Sequence, residues 1–215
     1  MLLAIDTSAG TSVAVVDRDR GIIAERASAD TRGPAEIIGT YIDECLRESG
    51  VAIAALSGVV AGMGPGPFTG LRVGIAAARA FALGAGKPVV RVVSHDAIAF
   101  AEYGSVERPA AGTEPLLVVT DARRREVYWS AYEGTDAAGL PQRLGPAGLC
   151  VPADLERAVP DYSRYRRLDA STVSAGAMGM LAEALFVAGE PFADAQPLYL
   201  RSPDVTVSAG PKRVS

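Results

Sequence analysis

Hydrophobic residues in the first 30 positions form three short runs, separated by turns that are polar or contain glycine. Leu2–Asp6 is an apolar run that ends in a carboxylate, and Thr11–Asp17 is a run rich in valine. Gly21–Ala29 follows after the polar turn Arg18-Asp19-Arg20. Three such runs joined by tight turns predict an antiparallel meander of three β-strands.

The spacing of the hydrophobic positions becomes helical after Pro34. Proline suits the first turn of a helix, and Gly50 suits the position just after its last turn. Apolar residues recur three or four positions apart between them, so we predict a helix over Pro34–Ser49. Further along, the pattern predicts a strand over Ser57–Ala61, a helix over Phe68–Leu83, a strand over Val89–Val93 and a helix over Ser94–Tyr103. This order predicts a mixed sheet with helices packed on it.

Residues 104–115 are polar and rich in glycine, proline and alanine, so we place a domain boundary there. The next segment, Leu116–Asp121, repeats the opening pattern of an apolar strand that ends in an aspartate, and Glu126–Tyr132 follows as an alternating strand. The repeat predicts two related lobes, residues 1–105 and a smaller lobe over 106–200. The pattern also predicts helices over Pro152–Ala158 and Ser174–Ala188 and a flexible polar tail over 201–215.

The composition is that of an ordinary globular protein, with 49% hydrophobic and 21% charged residues among 215. No apolar run approaches the roughly 20 residues that span a membrane, and the first residues predict a strand instead of a signal peptide. We therefore expect a cytoplasmic protein with no membrane partner. One histidine and two distant cysteines cannot build a zinc or iron site, so we expect no such metal. Magnesium binding by carboxylates alone stays open.

The strongest motif is the segment Gly64–Gly74, which reads Gly-Pro-Gly-Pro-Phe-Thr-Gly-Leu-Arg-Val-Gly between a predicted strand and a predicted helix. It lacks the Gly-Lys-Ser/Thr of a Walker A loop and the Gly-x-Gly-x-x-Gly of a dinucleotide-binding fold. Gly66, Gly70 and Gly74 recur every four residues. A glycine inside a helix costs about 1 kcal/mol relative to alanine. We infer that this face packs closely against an internal element or another subunit.

This segment resembles the signature of the TsaB (YeaZ) family, and three other segments resemble that family in the same order. They are Leu3-Ala4-Ile5-Asp6-Thr7-Ser8, the stretch from Asp121 to Tyr128, and Pro197-x-Tyr199-Leu200-Arg201. The resemblance implies an actin-like, Hsp70-like (ASKHA) α/β fold of two related lobes, each with a mixed sheet and packed helices. It also implies a role in forming threonylcarbamoyladenosine (t6A) next to the anticodon of tRNA, as the non-catalytic partner of the enzyme TsaD and alongside the ATPase TsaE.

In the family, two helices from each subunit associate as a bundle, which implies that the helices over Pro34–Ser49 and Phe68–Leu83 form the partner surface. The residues expected there are Glu36, Ile37, Ile38, Tyr41, Cys45, Pro65, Gly66, Phe68, Thr69, Gly70, Arg72, Gly74 and Ala77. The apolar residues of this partner surface also predict a homodimer when the partner is absent. Pro67 stands where the family has serine, which removes a hydroxyl and a backbone N–H at the helix entry.

Two polar segments offer further contacts, each with a structural alternative. Asp6-Thr7-Ser8 either resembles the phosphate-binding hairpin of actin-like kinases or is a strand end with turn-forming side chains. Arg123-Arg124-Arg125 is a predicted hairpin tip, where the charges either face water or contact tRNA phosphate. The net charge of −4 predicts that another subunit holds most of the tRNA. We expect no cofactor for this chain, and a nucleotide at a shared subunit interface stays open.

The sequence contains no recognisable set of catalytic residues. His95, the single histidine, is expected to be partly exposed at the start of a helix, and no nucleophile–base pair can be assembled around it. One alternative function is a stand-alone actin-like ATPase or small-molecule kinase, which requires an adenosine loop and a carboxylate placed for metal or base chemistry. Gly176 and Gly179 fall in a predicted helix and not in such a loop. The other alternative, a peptidase, lacks metal ligands.

Overall fold

The structure is a computed structural model, which describes residues 1–30, 33–104 and 114–201. Its first sheet contains strands β1 (Leu2–Asp6), β2 (Thr11–Asp17), β3 (Gly21–Ser28), β4 (Gly58–Gly62) and β5 (Val89–Val92). They lie in the order β3-β2-β1-β4-β5. The first three strands are antiparallel, which confirms the predicted meander, and β4 pairs parallel to β1. The carboxyl ends of β1 and β4 therefore meet at one edge of the sheet.

Five helices are described, and their bounds agree closely with the hydrophobic pattern. They are α1 (Pro34–Ser49), α2 (Phe68–Ala85), α3 (Ser94–Tyr103), the short α4 (Leu155–Ala158) and α5 (Ala175–Ala188). Helix α1 ends at Gly50, whose φ of 64° closes the last turn, as glycine does without steric penalty. Pro67 is the N-cap of α2 and makes no side-chain capping bond, so this helix begins without the hydroxyl that a serine would supply.

The second sheet contains strands β6 (Leu116–Asp121), β7 (Val127–Thr135), β8 (Pro141–Arg143), β9 (Gly148–Cys150) and β10 (Arg166–Ala170). The order is β10-β6-β7-β8, with β9 also paired to β7. The hydrophobic pattern did not predict the last three of these strands. Strand β10 reads Arg-Arg-Leu-Asp-Ala and pairs parallel with β6 at the sheet edge, where Leu168 and Ala170 pack partly buried against the core. Residues 105–113, around the predicted domain boundary, and 202–215, most of the predicted tail, lie outside the described residues.

The two faces of the first sheet are covered by different helices. Helices α1 and α2 cover one face, where Ile38, Cys45 and Leu71 join the core. Helix α5 covers the other face, where Met178 and Leu181 pack among residues of both sheets. The position of α5 in the sequence predicts that it belongs to the second lobe, and the structure shows that it also supplies core to the first. Its glycines permit this approach, since a Cβ at position 179 would lie 2.6 Å from Val16 Cγ2.

Helix α2 has 18 residues and a mean hydropathy of 1.2, enough by length and composition alone for a membrane span. This differs from the expectation that no apolar run in the chain approaches that length. Four of its residues, Leu71, Ile75, Ala78 and Ala82, are buried in the core of the first lobe. Burial of one face in this way is typical of a helix that packs on a sheet.

His95 is fully buried, which corrects the expectation that it is partly exposed. It lies between the lobes, where its Nδ1 is 2.8 Å from Ser130 Oγ and its Nε2 is 2.9 Å from Thr120 Oγ1. Both hydroxyls belong to the second sheet, so the first turn of α3 is held to the second lobe by this ring. Burial lowers the pKa of His95 to about 3, so the ring stays neutral at physiological pH.

A neutral buried histidine makes stability depend on pH, because the unfolded chain binds a proton below about pH 6.5 and the folded protein does not. We expect the free energy of unfolding to fall on acidification from about pH 6.5 toward pH 3, by up to about 1.4 kcal/mol per pH unit from this group. Burial raises the pKa of Asp6 and of Asp96, which opposes this slope in the acidic range.

The variant His95→Gln isolates the histidine contribution, since it leaves both aspartates in place. Urea unfolding of both proteins between about pH 5 and about pH 8, which brackets the ordinary pKa of histidine, measures the difference. Above pH 6.5 the variant should be less stable than the wild type by about 1–3 kcal/mol, because buried hydrogen bonds are disturbed. Below pH 6.5 this difference in stability should shrink, because the histidine of the unfolded wild-type chain gains a proton. Parallel pH profiles would show that the ring titrates freely in the folded protein.

Candidate functional site

The glycine-rich segment between β4 and α2 lies directly on the turn that joins β1 to β2. A Cβ at Gly66 would lie 2.8 Å from Ser8 Cα, and a Cβ at Gly70 would lie 2.7 Å from Thr7 O. At Gly74 an added Cβ would overlap Thr7 Oγ1. That hydroxyl donates to Gly70 O over 2.6 Å and accepts from Gly74 N over 2.9 Å. The four-residue glycine repeat is therefore required by close packing within the lobe.

This packing corrects part of the predicted partner surface. Gly66, Gly70 and Gly74 face the chain's own turn and leave no smooth stripe for another subunit. Two apolar residues of α1 that were assigned to the partner, Ile38 and Cys45, are buried in the core of the first lobe. Pro65 is buried as well, and the remaining assigned residues are placed as follows: Glu36, Phe68, Thr69 and Arg72 are exposed, and Ile37, Tyr41 and Ala77 are half-buried.

Asp6 is buried at the end of β1, and three hydrogen bonds from protein groups occupy its carboxylate. Oδ1 accepts from the backbone N of Ser8 at 2.8 Å and from its Oγ at 2.6 Å. Oδ2 accepts from Ser94 Oγ at 2.5 Å, and the same hydroxyl accepts from Gly64 N at 3.0 Å. Burial raises the pKa of Asp6, and the bonds to Ser8 and Ser94 act against that rise.

This geometry is that of a strand end with turn-forming side chains. Asp6, Thr7 and Ser8 are all buried, and the backbone of the glycine segment covers the turn. A phosphate at this position would have to displace that segment. The predicted phosphate-binding hairpin remains a prediction, and the described geometry gives it no open surface.

A groove of about 580 Å³ lies between α2 and the chain after α5. Two rings meet in it, since the centroids of Phe68 and Tyr199 are 5.0 Å apart, and the guanidinium of Arg72 lies 4.9 Å above the Phe68 ring. Arg79 lines the same groove about two turns further along α2. The bond from Leu198 N to Met63 O, 2.9 Å long, anchors the C-terminal wall. The sequence motif around Tyr199 signalled this wall, but nothing in the pattern linked it to α2.

The three arginines Arg123–Arg125 form the exposed turn between β6 and β7, as the sequence predicted. All three have positive φ, at 65°, 54° and 65°. Arg123 N donates to Asp121 Oδ1 over 2.9 Å, and its guanidinium pairs with the same carboxylate at 3.7 Å. Within the described ranges, no three His, Cys, Asp or Glu side chains come together as metal ligands would.

Two glycine substitutions on α2 test the packing of the glycine segment. Gly70→Ala should destabilise the protein by about 1–3 kcal/mol, because the added methyl meets the backbone of Thr7. Gly84→Ala, in the same helix, has nothing within 4 Å of its Cβ and should stabilise by about 0.5–1 kcal/mol. Urea unfolding followed by circular dichroism measures both. Equal stability of the two variants would show that the face at Gly70 is open after all.

Three comparisons place the chain among known proteins. Residues 7–140 match the family model described as TsaD: tRNA N6-adenosine threonylcarbamoyltransferase. An uncharacterised protein of Mycobacterium tuberculosis is 36% identical over 206 residues, which cover 94% of this chain and 92% of that protein. The tRNA threonylcarbamoyladenosine biosynthesis protein TsaB of Escherichia coli is 30% identical over 132 residues, 61% of this chain and 54% of that protein. The chain thus aligns with about half of the E. coli protein's length.

Among solved structures, YeaZ from Pseudomonas aeruginosa superposes with a TM-score of 0.72 at 29% identity, covering 93% of this chain and 99% of that one. This match and the two mixed sheets with packed helices confirm the predicted actin-like, Hsp70-like α/β fold. Family model, relatives and structure agree with the motifs in the sequence, and the chain belongs to the TsaB (YeaZ) family.

Proposed function

We propose that this protein is the non-catalytic subunit that supports a TsaD-type enzyme in forming t6A on the tRNA adenosine next to the anticodon. Membership of the TsaB (YeaZ) family carries the proposal, since the E. coli relative is named for t6A biosynthesis. The partners proposed are the TsaD-like catalytic subunit, a TsaE-like ATPase and, through them, tRNA. We expect the protein to work in the cytoplasm together with these partners.

The state of the polar groups supports a non-catalytic role. The carboxylate of Asp6, which a kinase or ATPase would need for metal or base chemistry, is buried and bonded to Ser8 and Ser94. The imidazole of His95 is buried between two hydroxyls and stays neutral. General acid–base catalysis needs a group that reaches a substrate and titrates near the working pH. Neither group meets both conditions, so neither the ATPase or kinase alternative nor the peptidase alternative gains support.

We propose that the partner binds the outer surface of α1 and α2. Half-buried apolar residues of both helices pack against the core of the first lobe and leave part of their surface exposed, including Tyr41 on α1 and Val73 and Ala77 on α2. Leu83, near the end of α2, is 84% exposed, and a large apolar side chain left in water favours association. In this arrangement the glycine segment acts indirectly, because its packing on Thr7 sets the position of α2. A homodimer through the same surface is expected when the partner is absent. The chain needs no cofactor, and a nucleotide at the shared interface is compatible with this arrangement.

Depletion of this protein in its native cell tests the function. We expect t6A to disappear from tRNAs that read codons beginning with A, as measured by mass spectrometry of tRNA nucleosides. In a reconstituted reaction, the purified protein alone should transfer no threonylcarbamoyl group, and adding it to the catalytic subunit should restore transfer. Normal t6A after depletion, or transfer and ATP hydrolysis by the isolated chain, would refute the proposal.

A matched pair of exposed apolar residues tests the partner surface. Leu83→Glu on α2 should weaken binding to the catalytic subunit by about 10-fold or more and shift the isolated protein toward a monomer, since a buried charge without a partner opposes association. Phe186→Glu changes a residue of α5 that is 73% exposed and should leave both unchanged. Isothermal titration and size-exclusion chromatography measure the effects. The reverse pattern would move the partner surface to α5.

A further inference from the structure

Strand β10 forms an edge of the second sheet, and no strand of the described part of the chain pairs with its outer side. It pairs parallel with β6 in the same way that β4 pairs parallel with β1 in the first sheet. In the first sheet, however, β5 pairs with the outer side of β4, whereas the described second sheet ends at β10. The unpaired backbone groups of an edge strand can pair with a strand of another chain.

The register with β6 shows which residues of β10 direct their backbone groups outward. Arg166 N donates to Pro115 O over 2.9 Å, so the backbone of Arg166 faces β6. Successive residues of a strand direct their N–H and C=O groups to alternate edges, so every second residue of β10 faces β6. Arg167 and Asp169 therefore direct N–H and C=O outward, where no backbone group of the described residues bonds to them.

The side chains of these two residues carry opposite charges on the same face of the strand. The exposed guanidinium of Arg167 donates from Nε to Asp169 Oδ2 over 2.9 Å and from Nη2 to Oδ1 over 2.6 Å. Leu168 lies between them, points to the other face and packs partly buried against the core. The outer edge thus presents one positive and one negative side chain, two residues apart.

This pattern of charge is complementary to itself in one antiparallel register. A two-fold axis places two copies of β10 antiparallel, and three registers would pair the outward residues with each other. Two of these registers set Arg167 opposite Arg167, or Asp169 opposite Asp169, and like charges directly opposite each other are destabilising. The third register, centred on Leu168, sets each arginine opposite the aspartate of the other copy. Both pairs then exchange backbone bonds, which gives four in total.

We propose that the outer edge of β10 is a self-association surface, through which two copies of this protein join their second sheets by antiparallel pairing centred on Leu168. The contact is isologous, because each copy contributes the same residues. It is confined to one short strand from each copy, and interfaces below about 1,200 Å² are typical of weak association. The contact requires neither tRNA nor the catalytic subunit.

This surface is separate from the one that we propose for the catalytic subunit. Strand β10 belongs to the second sheet, whereas α1 and α2 cover a face of the first. A dimer through β10 therefore uses neither helix. The homodimer expected through α1 and α2 has to be weakened before the β10 contact is measured, and Leu83→Glu serves as the parent protein for that reason.

Sedimentation equilibrium of the full-length parent protein measures the contact at concentrations up to about 1 mM, because the association is weak. We expect a reversible dimer. Arg167→Asp and Asp169→Arg should each raise its dissociation constant about 10-fold or more, since each change places two pairs of like charges opposite each other. Arg18→Asp, in the exposed turn between β2 and β3, makes the same change of charge as Arg167→Asp and should leave dimerisation unchanged.

Mixing the two single variants tests the register itself. In the mixture, the carboxylates of Arg167→Asp lie opposite the guanidinium groups of Asp169→Arg at both pairs, so a mixed dimer should form. Both variants keep a net negative charge, so overall attraction between them does not account for such a dimer. The double variant Arg167→Asp, Asp169→Arg exchanges the two charges and should dimerise as the parent does.

Each result supports or overturns the proposal. A parent protein that stays monomeric at every concentration would overturn it, and so would single variants that dimerise as the parent does. Loss of the dimer in both single variants, without recovery in the mixture or in the double variant, would also overturn it, because the register requires that recovery. The side chains at positions 167 and 169 are 38% and 64% exposed, so each variant should keep the circular dichroism spectrum of the parent.

Discussion

The buried carboxylate of Asp6 joins three separate parts of the first lobe. It lies at the end of β1, accepts hydrogen bonds from the turn that follows and from Ser94 at the start of α3, and Ser94 in turn holds Gly64. A carboxylate in such a place is unfavourable unless hydrogen bonds replace its lost water. All the groups around it must therefore be present together, which makes this junction depend on the whole lobe.

The position of α2 follows from that junction. The turn after Asp6 presents Thr7 and Ser8 to the next segment, and only glycine at positions 66, 70 and 74 allows the backbone to approach them closely. Once α2 is held there, one of its outer sides faces α1 and the other faces the chain around Tyr199. A buried contact within the first lobe thus sets the position of the outer surface of α2.

Buried polar groups in this protein hold its parts together, and its surfaces are left for recognition. Asp6 holds the glycine segment within the first lobe, and His95 holds α3 to the second sheet. Burial keeps a substrate from reaching either group. It also raises the pKa of the carboxyl and lowers that of the imidazole. This placement of the two titratable groups is consistent with the non-catalytic role that we propose.

The sequence alone determined the local elements and the family, because hydrophobic periodicity, helix-ending glycines and ordered motifs are local properties of the chain. It predicted α1 and α3 at the bounds that the structure has, and it missed β10, whose polar residues are held by pairing with β6. Only the tertiary structure showed what the faces of the helices contact. The glycine repeat predicted a close contact, yet the contact is with Thr7 instead of a partner. The burial of His95 and the groove at Tyr199 also depend on contacts between residues that are distant in sequence. Hydrophobic periodicity, which is local, does not predict such contacts.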